Sequence, residues 1–317
     1  MLSSVIGHEQ LKKKLIIRLK EHPTGVYLFC GPSSIGKRTT AFEFSKRILC
    51  LTGDARCGCP SCERFKTEHP DFLCVGQQEK IKVKDVTLIK EFSSTTPMVS
   101  DKKIIIIDNA HEITSEAAHR LLKLLEEPPP NFSFFLITSE PRYLIPTIQS
   151  RCVKYEFGNL SREELTTIMK KKLGFTPKKA EILGYLAADS SMDVFSNAGL
   201  YLKYRELAVE FMGSIKTRPL IDSIDFVDKV DKDDLPLFTD MVVLILTDFL
   251  LLKNRITDIT NRDKVEKFTK IAAELNDKAL IFAVGLFTQI KRYMYLNINL
   301  NLPFKNALIK SYPYFSL

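Results

Sequence analysis

The sequence predicts an α/β phosphate-loop module with a mostly parallel sheet, then a small helical lid and an all-α C-terminal domain; three observations carry that expectation. Short apolar runs of strand length alternate with amphipathic helical runs as far as Phe157, the pattern of a parallel sheet covered by helices. A glycine-bracketed segment, Gly31-Pro32-Ser33-Ser34-Ile35-Gly36-Lys37, stands directly between the first strand run and a helical run. Beyond Phe157 only helical periodicity continues.

The strand runs cover residues 26–30, 72–75, 104–107, 134–138 and 153–157. Four consecutive isoleucines at 104–107 imply a strand covered on both faces. Between the strands, Ala118, Leu121, Leu122 and Leu125 fall at helical spacing, and Pro128, Pro129 and Pro130 stop that helix. The module therefore spans residues 1–159. Ser161 opens the lid, residues 160–207, with Glu164 placed to complete a capping box. Residues 208–317 form the helical C-terminal domain, with clear helical patterns over 241–253 and 279–296.

At 317 residues the chain exceeds one ordinary core, since domains run to roughly 100–200 residues. A 45% hydrophobic and 26% charged composition suits a fully folded globular protein. The opening residues lack an apolar run of leader length, and the greasiest stretch, 241–252, is interrupted by Thr247 and Asp248. A cytoplasmic protein with no membrane partner is expected. Reducing conditions there make the seven cysteines metal ligands or buried apolar groups rather than disulfides. The net charge of +8 favours acidic partners, but lysines spread in short groups such as 12–14 and 170–172 suit solvated helix faces. No recognition helix is evident, so any DNA contact is expected at backbone phosphate.

Gly31 and Gly36 let backbone N–H groups wrap a polyphosphate, and Lys37 can reach terminal phosphates. The residue after that lysine normally offers a hydroxyl to magnesium, yet Arg38 stands there, and Thr39 is one step too far round the helix. Asp108 ends the isoleucine strand as the acidic group that supports a metal, but the next residue is Asn109, an amide that cannot take a proton at neutral pH. Loss of both metal binding and base argues against efficient hydrolysis. Weak ATP or ADP binding and a purely structural loop both remain open, with magnesium not expected.

Cys50, Cys57, Cys59 and Cys62 fall within thirteen residues, and Gly58 and Pro60 allow the tight turns of a four-thiolate zinc site of structural type. Free thiols are the alternative. Cys30, Cys74 and Cys152, in or beside apolar strands, read as core thiols, and His69, His111 and His119 as surface or cap residues.

In order along the chain stand Val5-Ile6-Gly7-His8-Glu9, the phosphate loop, Asp108-Asn109-Ala110-His111, Leu121-Leu122-Lys123-Leu124-Leu125-Glu126-Glu127-Pro128-Pro129, Thr138 closing its strand, and Ser150-Arg151-Cys152. Together these resemble the AAA+ module of the bacterial clamp-loader family of DNA polymerase III, in its δ′-like branch. The segment Leu296-Asn297-Ile298-Asn299-Leu300-Asn301 resembles that family's closing collar segment, whereas 207–280 carries little likeness beyond helical pattern. The resemblance implies a degenerate nucleotide site at Gly31, Gly36, Lys37, Arg38, Thr39, Asp108 and Thr138. It implies that Arg151 is an arginine finger reaching a neighbouring subunit's γ-phosphate; the alternative is a structural pair with a carboxylate such as Glu156. Asp193 falls where active loader ATPases carry a lid arginine. The resemblance also implies a zinc module at about 50–62 followed by His69-Pro70-Asp71, although one residue, Gly58, separates Cys57 and Cys59 where the family usually has two. The implied partners are clamp-loader ATPase subunits and a δ-like subunit in a hetero-oligomer, with the sliding clamp and primer-template DNA met through the complex. The competing expectation is an active AAA+ ATPase in which Arg38 or Thr39 is tolerated and Glu112 serves as base.

Overall fold

A computed structural model of the chain describes residues 5–21, 24–53, 57–76, 80–171, 173–189, 194, 197–294 and 299–315. The chain divides into two compact units, Met1–Glu164 and Leu165–Leu317.

The first unit runs α1 (Glu9–Glu21), β1 (Gly25–Cys30), α2 (Lys37–Leu49), α3 (Pro60–Arg64), β2 (Phe72–Val75), α4 (Val83–Ser94), β3 (Lys103–Ile107), α5 (Ser115–Glu126), β4 (Phe132–Thr138), α6 (Pro146–Gln149) and β5 (Val153–Glu156). Among the described residues the strands form one sheet of order β2-β3-β4-β1-β5, every pairing parallel. Because β4 lies between β1 and β3, with Cys30 opposite Thr138 and Ile107 opposite Leu136, the loops leaving β1 and β3 emerge at the same sheet edge. That carboxyl edge is where such sheets form binding crevices.

Side chains alternate across the sheet with the strand period of two. Leu28, Ile105, Ile107, Phe134 and Leu136 join Val86 and Ile89 of α4 and Leu121 and Leu125 of α5 in one core. On the other side Tyr27 stacks on Phe135 at 4.9 Å, and Phe44 of α2 meets Phe135 edge-on at 5.8 Å. All four isoleucines of β3 are 0% exposed, as a doubly covered strand requires. The Ser161 and Glu164 capping box forms in both directions, at 2.7 Å and 3.2 Å.

α7 (Arg162–Lys171) crosses the border between the units, and the second unit continues with α8 (Pro177–Asp189), α9 (Ala198–Gly213), α10 (Leu220–Asp228), α11 (Leu235–Lys253), α12 (Val265–Ala273), α13 (Asp277–Met294) and α14 (Asn301–Phe315). Position 207, where the lid is expected to end, falls inside α9, which continues to Gly213 and packs on α11. By length and composition α11 is apolar enough to cross a membrane. Its buried Asp248, however, accepts N–H bonds from Thr260 and Asn261, both at 2.9 Å, and its Phe238 packs on Phe211 and Phe304, as in a core helix. Arg205 of α9, 1% exposed, is held by Asn261 and Asp263. Asp193, Leu296, Asn297 and Ile298, singled out by the sequence, lie outside the described residues.

Candidate functional site

The phosphate loop leaves β1 at Gly31, whose φ of +142° and close approach to Phe157 exclude a side chain: a Cβ there would sit 2.2 Å from the Phe157 carbonyl oxygen. It enters α2 at Gly36, φ +94°. Lys37 is 6% exposed and folds back so that Nζ donates to the carbonyls of Gly31, at 2.7 Å, and Pro32. Burial lowers its pKa to about 8, with the nearby Asp108 carboxylate opposing the shift. Thr40 donates its hydroxyl to the Gly36 carbonyl at 2.8 Å, while Thr39 faces the cleft with Ser33, Ser34, Arg38, Asp108 and Asn109.

Arg38 Nε lies 3.5 Å from Asp108 Oδ2. The other Asp108 oxygen accepts the Asn109 N–H at 3.0 Å, so both oxygens of the carboxylate have protein partners. Asn109 adopts φ 48°, a left-handed conformation that asparagine tolerates well, and its side-chain amide donates to Gly76 O at 3.2 Å. Thr138 is buried and engages His111 Nδ1 at 3.1 Å and the Glu140 N–H at 3.0 Å; its neighbours Ile137 and Ser139 line the cleft instead. The Glu112 carboxylate stands 4.0 Å from His111 and does not line the cleft.

Arg151 follows α6 at the surface. Its guanidinium pairs with Glu126 of α5 at 2.5 Å and donates to the Thr147 carbonyl at 2.8 Å. Glu156, expected as the alternative partner, pairs with Lys154 at 2.5 Å instead. The flanking residues fix the backbone: Ser150 donates to Thr147 O at 3.1 Å, and Cys152 donates to Ile148 O at 3.1 Å while packing against the core. Burial pushes the Cys152 thiol up to about 12, so it stays protonated and unreactive.

Four thiols converge where α2 ends and α3 begins. Cys50, Cys57, Cys59 and Cys62 place their sulfurs within 4.8 Å of one another. The distances are 3.6 Å for Cys50–Cys57, 4.0 Å for Cys50–Cys59 and 3.8 Å for Cys57–Cys62. A tetrahedron with metal–sulfur bonds of about 2.3 Å has edges of roughly 3.8 Å, so the donor set fits one tetrahedral thiophilic ion despite the single residue between Cys57 and Cys59. N–H donation from Cys62 lowers the Cys59 thiol to about 6, while burial and the neighbouring sulfurs push the Cys62 thiol well up.

Residues 7–161, which hold the phosphate loop, the thiol cluster and Arg151, match the family described as DNA polymerase III, delta subunit. Over these residues the chain is similar to the clamp-loader subunits of DNA polymerase III. It is 37% identical over 145 residues to the DNA polymerase III subunit delta' of Bacillus subtilis, covering 44% of each chain. It is 30% identical over 169 residues to the subunit tau/gamma of Haemophilus influenzae, covering 52% of this chain and 25% of that one. Its alignments thus span less than half the length of these curated relatives. A crystal structure of a gamma subunit-related protein from Thermotoga maritima aligns over 97% of this chain and all of its own, at 20% identity and a TM-score of 0.48.

Within this module the loop and the thiols were legible in the sequence, but their supports were not. His69, expected at the surface or in a cap, is 4% exposed and bonded to Ser61 at 2.9 Å. His111 holds Thr138, and His119 is exposed as expected. Cys30 is buried, whereas Cys74 and Cys152 are only partly so. Glu126 stood in view within its Leu-Leu-Lys motif, but nothing local joins it to Arg151, 25 positions later.

Proposed function

We propose that this chain is a δ′-like, non-hydrolysing subunit of the sliding-clamp loader of DNA polymerase III, and that Arg151 completes the ATP site of a neighbouring ATPase subunit. The observation that carries the reading is the pairing of Arg38 with Asp108 beside Asn109. A guanidinium stands where a magnesium-binding hydroxyl would be needed, and the carboxamide next to it has no basic lone pair to activate water. The tau/gamma relatives leave the alternative of an active ATPase; Glu112, turned toward His111, offers it little support as a base.

In this reading Arg151 supplies what a trans arginine requires: a permanently charged, forked donor at the surface on a fixed backbone. The residues around it tie the backbone to the preceding helical turn, the exposed Ser150 through Thr147 O and the partly buried Cys152 through Ile148 O. ATP or ADP binds the chain's own loop weakly, held by Gly31, Gly36 and Lys37 with Arg38 as counterion. The four cysteines hold a structural zinc ion, whose closed thiolate shell stabilises the fold around α3 and offers no open position for chemistry. Residues 160–207 act as the lid and 208–317 as the collar through which the chain joins ATPase subunits and a δ-like subunit. The sliding clamp and primer-template DNA are met through that assembly, in the cytoplasm.

The test is steady-state ATP turnover with magnesium, for the purified chain and for a loader reconstituted with its ATPase subunits. The chain alone should show no turnover that Lys37→Ala abolishes. In the assembly, Arg151→Ala should lower DNA-stimulated turnover by on the order of 10³-fold. Robust Lys37-dependent turnover by the isolated chain, or an unaffected Arg151→Ala assembly, would overturn the reading.

A further inference from the structure

We infer that Ser61, His69 and Asp71 are positioning residues that couple metal occupancy of the cysteine cluster to the conformation of the surface segment Met98-Val99-Ser100. The inference rests on the reading of the cluster as a metal site.

Ser61 and His69 are bonded side chain to side chain, and His69 to the backbone N–H of Asp71, whose carboxylate carries the path on. Ser61 and Asp71 are 0% exposed and His69 is 4% exposed. Ser61 lies on α3, next to Cys62, and its hydroxyl donates to the Leu49 carbonyl at 2.7 Å. Leu49 is the last residue of α2 and precedes Cys50. One hydroxyl therefore ties the helix carrying Cys62 to the helix end carrying Cys50, fixing the separation of two thiols that must share an ion.

Since the Ser61 proton points to Leu49, the bond of 2.9 Å between Ser61 and His69 has Nε2 of the imidazole as donor. The other ring nitrogen, Nδ1, accepts the Asp71 N–H at 3.1 Å. That arrangement selects the neutral Nε2–H tautomer, and burial, which lowers the His69 pKa, favours the same neutral ring. Asp71 in turn accepts the N–H groups of Met98 at 2.7 Å, Val99 at 2.7 Å and Ser100 at 2.8 Å. Three charge-assisted bonds to consecutive amides hold that segment in one conformation, with Met98 78% exposed.

The path from Cys62 to Met98 is continuous, and buried from Ser61 through His69 to Asp71. Outer partners of metal ligands typically change affinity 10–100-fold when removed. In the opposite direction, loss of the ion frees α3, then the Ser61 and His69 contacts, and last the anchor of the three amides.

The experiment measures zinc content by elemental analysis, affinity by competition with a chromophoric chelator, and amide hydrogen exchange of the whole chain with and without chelation. A cobalt(II)-loaded sample adds the visible spectrum of a tetrathiolate site. Stoichiometric zinc, with chelation accelerating exchange at Met98, Val99 and Ser100 by tenfold or more, is the expected result. Ser61→Ala should weaken zinc binding by about 10–100-fold and shift the cobalt spectrum, and Ser61→Thr should restore both. Stoichiometric zinc with exchange at 98–100 unmoved by chelation would overturn the coupling while leaving the metal site standing. A chain that takes up neither zinc nor cobalt would overturn both. The chelation measurement uses the unaltered sequence, so it stands even where Ser61→Ala fails to fold.

Discussion

Arg38 reaches Asp108 across the mouth of the phosphate cleft, Nε to Oδ2 at 3.5 Å, in the region where an ATPase of this architecture assembles magnesium. A fixed cation and a divalent ion compete for the same carboxylate. Adenine nucleotide, followed with a fluorescent analogue, is therefore expected to bind equally in magnesium and in EDTA. Arg38→Ser should create a magnesium-dependent gain of roughly tenfold, about 1.4 kcal/mol, without turnover, because Asn109 is unchanged. A strong magnesium requirement in the unaltered chain would contradict this.

Lys37 gives the site a defined pH response. Its folded pKa of about 8 lies below its ordinary 10.5, so between these values the unfolded chain holds a proton that the folded chain lacks. Stability contributed by this group must then rise with pH through that window, and below about 8 the buried charge weighs against folding. Urea unfolding at pH 7.5 and pH 10 should show the rise, on the order of 3 kcal/mol, as the difference between the unaltered chain and Lys37→Met. Phosphate affinity should move the opposite way, fading above about pH 8 as the ammonium loses its proton.

The pair between Arg151 and Glu126 is partly solvated, with side chains 33% and 44% exposed. Such pairs contribute about 1 kcal/mol or less. Glu126→Gln and Arg151→Ala should therefore each shift the unfolding free energy by no more than that, measured by denaturant titration. A loss above about 3 kcal/mol for Arg151→Ala would mark the arginine as a structural residue.

Arg205 differs from Arg151 because its guanidinium is 1% exposed and its partners Asn261 and Asp263 are 56 and 58 positions away. Its carboxylate partners Asp263 and Glu206 reach solvent, so the main loss on truncation is the bond to the buried Asn261, at a cost of about 1–3 kcal/mol. Arg205→Ala should lower the unfolding free energy by that amount, read by denaturant titration of the second unit's transition.

The sheet was legible because its signals are local. Ile104, Ile105, Ile106 and Ile107 can be buried on both faces only in a central strand, and Gly31 and Gly36 mark their own turns. The Ser161 and Glu164 cap likewise lies within one helical turn. What escaped were partnerships chosen by the tertiary fold. Glu156 and Glu126 were equally eligible carboxylates for Arg151 until the packing of α5 on α6 chose between them. His69 could not be told from a surface histidine, because its burial depends on Ser61 of α3 and on the Phe65 ring, 4.6 Å from its own. Position 207 lies within α9, whose buried Ala208, Val209, Phe211 and Met212 continue past it, a helix run that the local pattern alone does not delimit.

α2 begins at the phosphate loop with Lys37 and delivers Cys50 to the thiol cluster thirteen residues later, a rod of about 20 Å. The two ends are thus geared together. One residue inserted midway would turn everything downstream by about 100° and advance it by about 1.5 Å, so that a helix still anchored on the loop would present Cys50 to the wrong side. Drift in the length of this helix is consequently barred unless one terminus is abandoned, which makes the spacing between glycine loop and first cysteine a ruler for recognising chains that keep both.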